Sequence, residues 1–162
     1  MTRIEVGLDR LAREHRALVD GRRVGLVAHP ASVSRELAHA LDVLIAAGGR
    51  VEVLFGPEHG FGGEAQDMEP VDGAARGPRG RPLHSLYGAD EASLAPTDEQ
   101  LRGLDALVVD LADVGARYYT FVWTAVLCLR ACHRLGIDLV LLDRPNPLGG
   151  EVVEGAPQEA DT

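Results

Sequence analysis

The sequence predicts an α/β domain with a doubly wound, mostly parallel, Rossmann-like sheet and helices on both faces. Three observations predict it. Short apolar runs at 24–28, 51–55, 106–111 and 139–142 alternate with segments of helical periodicity. Those runs are nearly continuous in hydrophobicity rather than alternating, as strands covered on both faces require. Each run stops at a polar or turn-forming cluster, and right-handed crossovers then set successive strands side by side.

The elements follow in order. Leu8, Leu11, Leu18 and Val19 are spaced for one face of a helix over 6–19, which Gly21 closes. Val24-Gly25-Leu26-Val27-Ala28 is the first strand, ended by His29-Pro30. Ser34 is placed to cap a helix running to Ala47, with Leu37, Leu41, Leu44 and Ile45 on one face and Gly48-Gly49 as its stop. The second strand, 51–55, ends at Gly56-Pro57. Residues 56–82 are rich in Gly and Pro and too long for an ordinary connection. They read as a functional loop or lid, or as a disordered surface insertion.

A short strand is expected over 83–87. Thr97-x-x-Gln100 is a capping-box pattern for a short helix ending near Gly103. The third core strand spans 106–111. A long helix follows over 116–135, with Val122, Val126 and Leu129 inward, Trp123 in the core and Gly136 as its end. The last core strand, 139–142, stops at Asp143-Arg144-Pro145.

Composition narrows the function. The 162 residues fit one domain, and 46% hydrophobic content supplies a core. The net charge of −9 argues against a nucleic-acid partner, which needs a basic face. No stretch approaches the roughly 20 apolar residues of a membrane helix, so no membrane partner is expected. Met1-Thr2-Arg3-Ile4-Glu5 lacks the apolar core of a signal peptide, so the expectation is a cytoplasmic protein, with export of a longer natural chain left open. No G-x-G-x-x-G follows the first strand and no residues have metal-ligand spacing, so neither a dinucleotide cofactor nor a metal is expected. Cys128 and Cys132 share a helix face whose rigidity disfavours a disulfide. Despite neighbouring His133, they read as small buried side chains.

In open α/β sheets, ligands bind beyond the carboxyl ends of the strands. The strand ends here carry His29; Glu58 and His59; Asp110 and Asp113, followed by Arg117 and Tyr118; and Asp143, Arg144 and Asn146. Gly56-Pro57 presents Glu58, and a partly desolvated carboxyl there can hold a proton and act as a general acid. The alternative is a helix-capping or salt-bridged surface glutamate. His59 would orient Glu58 or shuttle a proton. Asp113, on a loop, suits a second carboxylate better than Asp110, which lies within a strand pattern and would brace a neighbouring loop. Arg117 and Arg144 would bind a substrate carboxylate through their planar forks, or pair with Asp113 or Asp143. Tyr118 is the aromatic nearest the site. His15, His39 and His133 fall on helical segments and read as structural or exposed.

The segments Phe55-Gly56-Pro57-Glu58-His59-Gly60, Ser85-Leu86-Tyr87-Gly88, Asp113-Val114-Gly115-Ala116-Arg117-Tyr118-Tyr119-Thr120 and Leu142-Asp143-Arg144-Pro145-Asn146-Pro147 resemble, in order and spacing, the exo-β-N-acetylmuramidase (NamZ-type) family, formerly a domain of unknown function, DUF1343. Val24-Gly25-Leu26 and Val153-Glu154-Gly155 resemble its flanking segments. The chain departs from the family at His29-Pro30-Ala31-Ser32, where an Asn-x-Thr-Gly-like turn is usual, and at Ala112, where Gln is common.

The resemblance implies a glycoside hydrolase that releases terminal β-linked N-acetylmuramic acid from the non-reducing end of peptidoglycan fragments. Its substrate would be a muropeptide or amino sugar. It implies Glu58 as the leading catalytic residue with His59 beside it, and Asp113, Arg117, Tyr118, Asp143 and Asn146 along a cleft between two domains. Residues 1–150 are then expected to form the Rossmann-like, catalytic-type domain, and 151–162 to begin a linker to a second domain lying outside this chain. Two other readings stay open: a non-catalytic muropeptide- or sugar-binding module or inactive N-terminal fragment, and an α/β enzyme for a small phosphorylated or acidic metabolite, which the lack of a Gly-rich phosphate loop disfavours.

Overall fold

A computed structural model describes residues 4–58, 60–62, 75–88 and 90–157. The strands are β1 (Arg23–Ala28), β2 (Arg50–Gly56), β3 (Ala75–Arg76), β4 (Pro82–Ser85), β5 (Ala106–Asp110) and β6 (Asp138–Leu141). They form one sheet in the order β3-β4-β2-β1-β5-β6. Every pairing is parallel except that of the short edge strand β3 with β4. Without β3, the chain adds strands outward from β1 on one side, then returns to add β5 and β6 on the other. That is the doubly wound Rossmann order. The switch of direction falls between β1 and β5, where Ala28 is in register with Asp110.

The helices are α1 (Gly7–Glu14), α2 (Ala40–Ala46), α3 (Asp98–Leu101) and α4 (Phe121–Leu135). Two apolar clusters cover the two faces of the sheet. Leu8 and Leu11 of α1 and Leu41 and Leu44 of α2 pack with Leu26, Leu54 and Val108. Leu101 of α3 and Phe121, Cys128, Ala131 and Cys132 of α4 pack with Val27, Phe55 and Val109. Alternate residues of the central strands face opposite clusters, which explains why these strands read as unbroken apolar runs.

Several expectations about the helices change. The first helix stops at Glu14, and a separate 3₁₀ turn at Arg16–Leu18 leaves Leu18 exposed. The second begins at Ala40 rather than after Ser34. The Ser34 hydroxyl accepts from the Glu36 and Ala38 backbone N–H groups, both at 3.2 Å, closing a local turn. Leu37 within that turn has φ of 62° and is 80% exposed, so it is not on a buried face. His39 caps α2 instead, its Nδ1 accepting from Leu41 N–H.

The long helix starts at Phe121, and its inner face is Phe121, Thr124, Cys128, Ala131 and Cys132. Val122, Trp123 and Leu129 point outward, Trp123 being 62% exposed. The Thr97–Gln100 capping box is present with both reciprocal hydrogen bonds. Of the long segment 56–82, the described part holds β3 and a 3₁₀ turn at Pro78–Gly80; residues 59 and 63–74 lie outside the described residues. Among the described residues no helix is long and apolar enough to cross a membrane.

Candidate active site

The carboxyl ends of β1 and β5 are fastened together by a buried polar knot. Asp110, the last residue of β5, is fully buried. Arg144 grips it with both arms of its fork, Nε to Oδ1 at 2.6 Å and a terminal nitrogen to Oδ2 at 2.8 Å. The same terminal nitrogen donates to the Val33 carbonyl at 3.1 Å. Ser32, also fully buried, donates its hydroxyl to the Asp110 carbonyl at 2.5 Å and accepts from the His29 N–H at 3.0 Å. Three chain segments that meet at the switch point are thereby held in one register. Arg144 was read as a carboxylate binder or a partner of Asp113 or Asp143; its fork is occupied by Asp110.

His29 leaves β1 directly above this knot. Its ring packs edge-on to Phe121 at 5.0 Å, and its Nε2 is buried with no hydrogen-bond partner among the described residues. Burial pushes its pKa below the ordinary value, the Asp110 carboxylate opposes that, and Arg144 and His39 reinforce it. His39 was read as structural or exposed. It stands beside His29, with Nε2 3.2 Å from the His29 carbonyl and its ring against Phe61. Because Nδ1 accepts from Leu41, Nε2 carries the proton.

Glu58 follows β2. A tight turn closes beneath it, with Gly60 N–H on the Pro57 carbonyl at 2.8 Å. Gly56 makes that turn possible: a Cβ there would lie 2.4 Å from the Phe61 backbone nitrogen. Glu58 is half-buried, and its Oε2 accepts from the Thr120 hydroxyl at 2.6 Å. Among the described residues it has no ion pair. Tyr119 lies on the same side. Burial raises its pKa, and the Glu58 carboxylate adds to the effect. Its ring centroid is 4.6 Å from that of Phe121. Glu58, Tyr119, Thr120, Phe121 and His29 thus form a continuous patch across the ends of β2 and β1 and the start of α4.

A second group sits over β5 and β6. Asp113, Asp143 and Arg144 line a shallow cavity of about 120 Å³ floored by Phe121 and Leu142. Asp113 is exposed and its Oδ1 accepts from Gly115 N–H at 3.0 Å. Gly115 has φ of +73°, and a Cβ there would press within 2.6 Å of the Asn146 amide. Asn146 in turn accepts from Leu148 N–H. The Asp143 side chain is exposed while its carbonyl accepts from Gly7 N–H, tying the start of α1 to the strand end. Arg117 is exposed and donates to the Ala156 carbonyl at 2.8 Å. Tyr118, expected nearest the site, is 93% exposed; Tyr119 is the tyrosine that faces Glu58. His59 lies outside the described residues.

Reading from the sequence missed Thr120, Tyr119, Ser32 and His39. The helix expected over 116–135 placed Thr120 inside it, whereas the helix begins one residue later, at Phe121. Among the described residues no group of three or more His, Cys, Asp or Glu is arranged to hold a metal ion.

The family described as exo-beta-N-acetylmuramidase NamZ, N-terminal, matches residues 24–162. The chain belongs to the NamZ family. It is 37% identical over 154 residues to the peptidoglycan beta-N-acetylmuramidase NamZ of Bacillus subtilis, covering 94% of this chain and 36% of that protein. A crystal structure of a DUF1343 family protein from Bacteroides fragilis superposes with a TM-score of 0.83 at 32% identity, covering 99% of this chain and 40% of that one. A second DUF1343 structure from the same organism gives a TM-score of 0.65 at 27% identity, over 90% of this chain and 36% of its own. The chain therefore spans 36–40% of the length of these three proteins. The knot, the Glu58 patch and the cavity over β5 and β6 all lie inside the matched segment.

Proposed function

We propose that this NamZ-family domain serves the hydrolysis of peptidoglycan fragments, releasing terminal β-linked N-acetylmuramic acid from their non-reducing end, with Glu58 as general acid. The observation that carries the reading is Glu58 itself. It is a half-buried carboxyl without an ion pair among the described residues, held at the ligand-binding edge of the sheet by one hydroxyl, in a chain that belongs to this family.

Glycosidic cleavage needs a proton on the leaving oxygen as the C1–O bond breaks, and most glycosidases supply it from one of two carboxyl groups. Glu58 is suited to that donation. Asp113 is our candidate for the second carboxylate, and Asp143 lines the same cavity. Tyr119 and His29 offer an aromatic and hydrogen-bonding surface beside Glu58. A further domain of the kind implied by the relatives' length would complete the cleft over Tyr118, Arg117 and Asn146.

The test is hydrolysis of a chromogenic β-N-acetylmuramic acid glycoside by the full natural chain and by its Glu58→Gln variant. Turnover that vanishes in the folded variant supports the reading. Undiminished turnover in the variant removes Glu58 as the acid.

A further inference from the structure

We propose that Thr120 is the positioning residue for Glu58: its hydroxyl fixes the carboxyl so that Oε2 is an acceptor and Oε1 carries the proton delivered to the leaving glycosidic oxygen. The inference rests on the reading of Glu58 as the acid, and extends it to the group that aims the acid and stabilises its conjugate base.

Two independent features of Thr120 support it. The first is the short contact to Glu58, 2.6 Å between Oγ1 and Oε2 across a sequence separation of 62 residues. The second is what Thr120 does not do. It occupies the residue before α4, where a threonine hydroxyl ordinarily accepts from the helix's first N–H groups. Here it makes no such bond, and its backbone is already helical, at φ −83° and ψ −12°. Only its carbonyl serves the helix, accepting from Trp123 and Thr124 N–H. The hydroxyl is left to point at Glu58. A helix-capping role does not account for this side chain.

The chemistry follows from the geometry. A hydroxyl has one proton to donate. With that proton on Oε2, the acidic proton of Glu58 belongs on Oε1. During cleavage it passes from Oε1 to the glycosidic oxygen, which also takes the electron pair of the breaking C1–O bond. Glu58 becomes a carboxylate. Water supplies the hydroxyl that ends on C1, and the proton it gives up restores the acid form of Glu58. Thr120 keeps its own proton throughout. Its hydrogen bond strengthens as negative charge develops on Glu58, so it favours the transition state over bound substrate. Thr120 also sits at the start of a 15-residue helix packed on the sheet, which removes rotamer freedom from Glu58.

The experiment measures kcat and KM on a β-N-acetylmuramic acid glycoside for the full natural chain and its Thr120→Val, Thr120→Ser and Glu58→Gln variants, with thermal unfolding of each. Thr120→Val keeps shape and removes the donor. Its kcat should fall about ten- to a hundredfold, the loss expected for one hydrogen bond to a charged group, with KM within about twofold. Thr120→Ser should recover most of kcat. Should Thr120→Val fail to fold, Thr120→Ala against Thr120→Ser makes the same comparison. If Glu58→Gln is inactive while Thr120→Val keeps full kcat, or loses only KM, the positioning role is overturned and the acid assignment survives. If Glu58→Gln is fully active, the assignment of the acid fails, and the role of Thr120 with it.

Discussion

The fork of Arg144 closes on Asp110 with both arms, at 2.6 and 2.8 Å, where the aspartate is fully buried and the arginine side chain is 10% exposed. This pair joins the end of β5 to the segment after β6, and the third bond to Val33 brings in the turn after β1. Removing one partner leaves the other charge desolvated and unpaired. Arg144→Met should therefore cost about 3–5 kcal/mol of stability, read from the denaturant midpoint. Arg144→Lys should recover only part of this, because a single ammonium cannot reproduce the two-point grip. An Asp110→Leu, Arg144→Met double variant more stable than either single variant would bear out the desolvation argument. A single variant within about 0.5 kcal/mol of the parent, the ordinary range for surface changes, would contradict it.

The core strands were legible because strands buried on both faces leave one signature, an unbroken apolar run ended by a turn. The helix boundaries were harder to read, for local reasons. Ser34 has a cap's chemistry but closes a turn, which swings Leu37 into solvent in a left-handed conformation. On α4 the apolar spacing pointed to Val122, Val126 and Leu129 as the inner face with Trp123 in the core, yet the buried residues are Phe121, Thr124, Cys128, Ala131 and Cys132. The site was half legible. Glu58 stands out by following Gly-Pro at a strand end. Thr120 does not, because only the crossover through α3 and β5 brings it back beside β2. The mate of Arg144 was expected in its sequence neighbour Asp143 or in the loop residue Asp113. It is Asp110, inside the adjacent strand β5, because neighbouring strand ends meet in space.

His29 makes stability depend on pH with a definite sign. Burial holds its pKa below the ordinary 6.5, so the folded state resists protonation that the unfolded chain accepts. Below about pH 6.5 the unfolded state binds more protons, and folding free energy is lost as pH falls toward the folded pKa. Above that range both states are neutral and the residue contributes no slope. His84, against Phe55, has the same sign from burial alone. Unfolding free energy measured between about pH 5 and 8 should rise with pH, and His29→Gln should flatten the rise. An unchanged slope in that variant would place the pH dependence elsewhere.

Cys128 and Cys132 sit one helical turn apart on the inner face of α4, both free and buried. Burial pushes Cys128 up to about 12, with Cys132 adding to it, and Cys132 up to about 11. Only thiolates react readily with electrophiles. In the native protein at mildly alkaline pH, a thiol reagent should therefore label these two positions only as fast as the core opens. In denaturant, both should react at once. Fast native-state labelling with the fold intact would mean that the inner face of α4 is accessible.

Arg117 lies three residues before Thr120, so its guanidinium starts from the same turn that approaches Glu58. Among the described residues it pairs with no carboxylate and donates only to the Ala156 carbonyl, in contrast to Arg144. N-acetylmuramic acid differs from N-acetylglucosamine by a lactyl group that ends in a carboxylate, and a planar fork matches a carboxylate at two points. An arginine in use for that recognition should affect the two sugars unequally. Arg117→Glu should lower kcat/KM on a muramic acid glycoside about tenfold or more beyond any loss on the matching glucosaminide, the penalty for turning a charged hydrogen bond into repulsion. Arg117→Lys should fall between, keeping the charge without the fork. Equal losses on the two substrates would mean that Arg117 serves the loop through Ala156 and does not read the lactyl group.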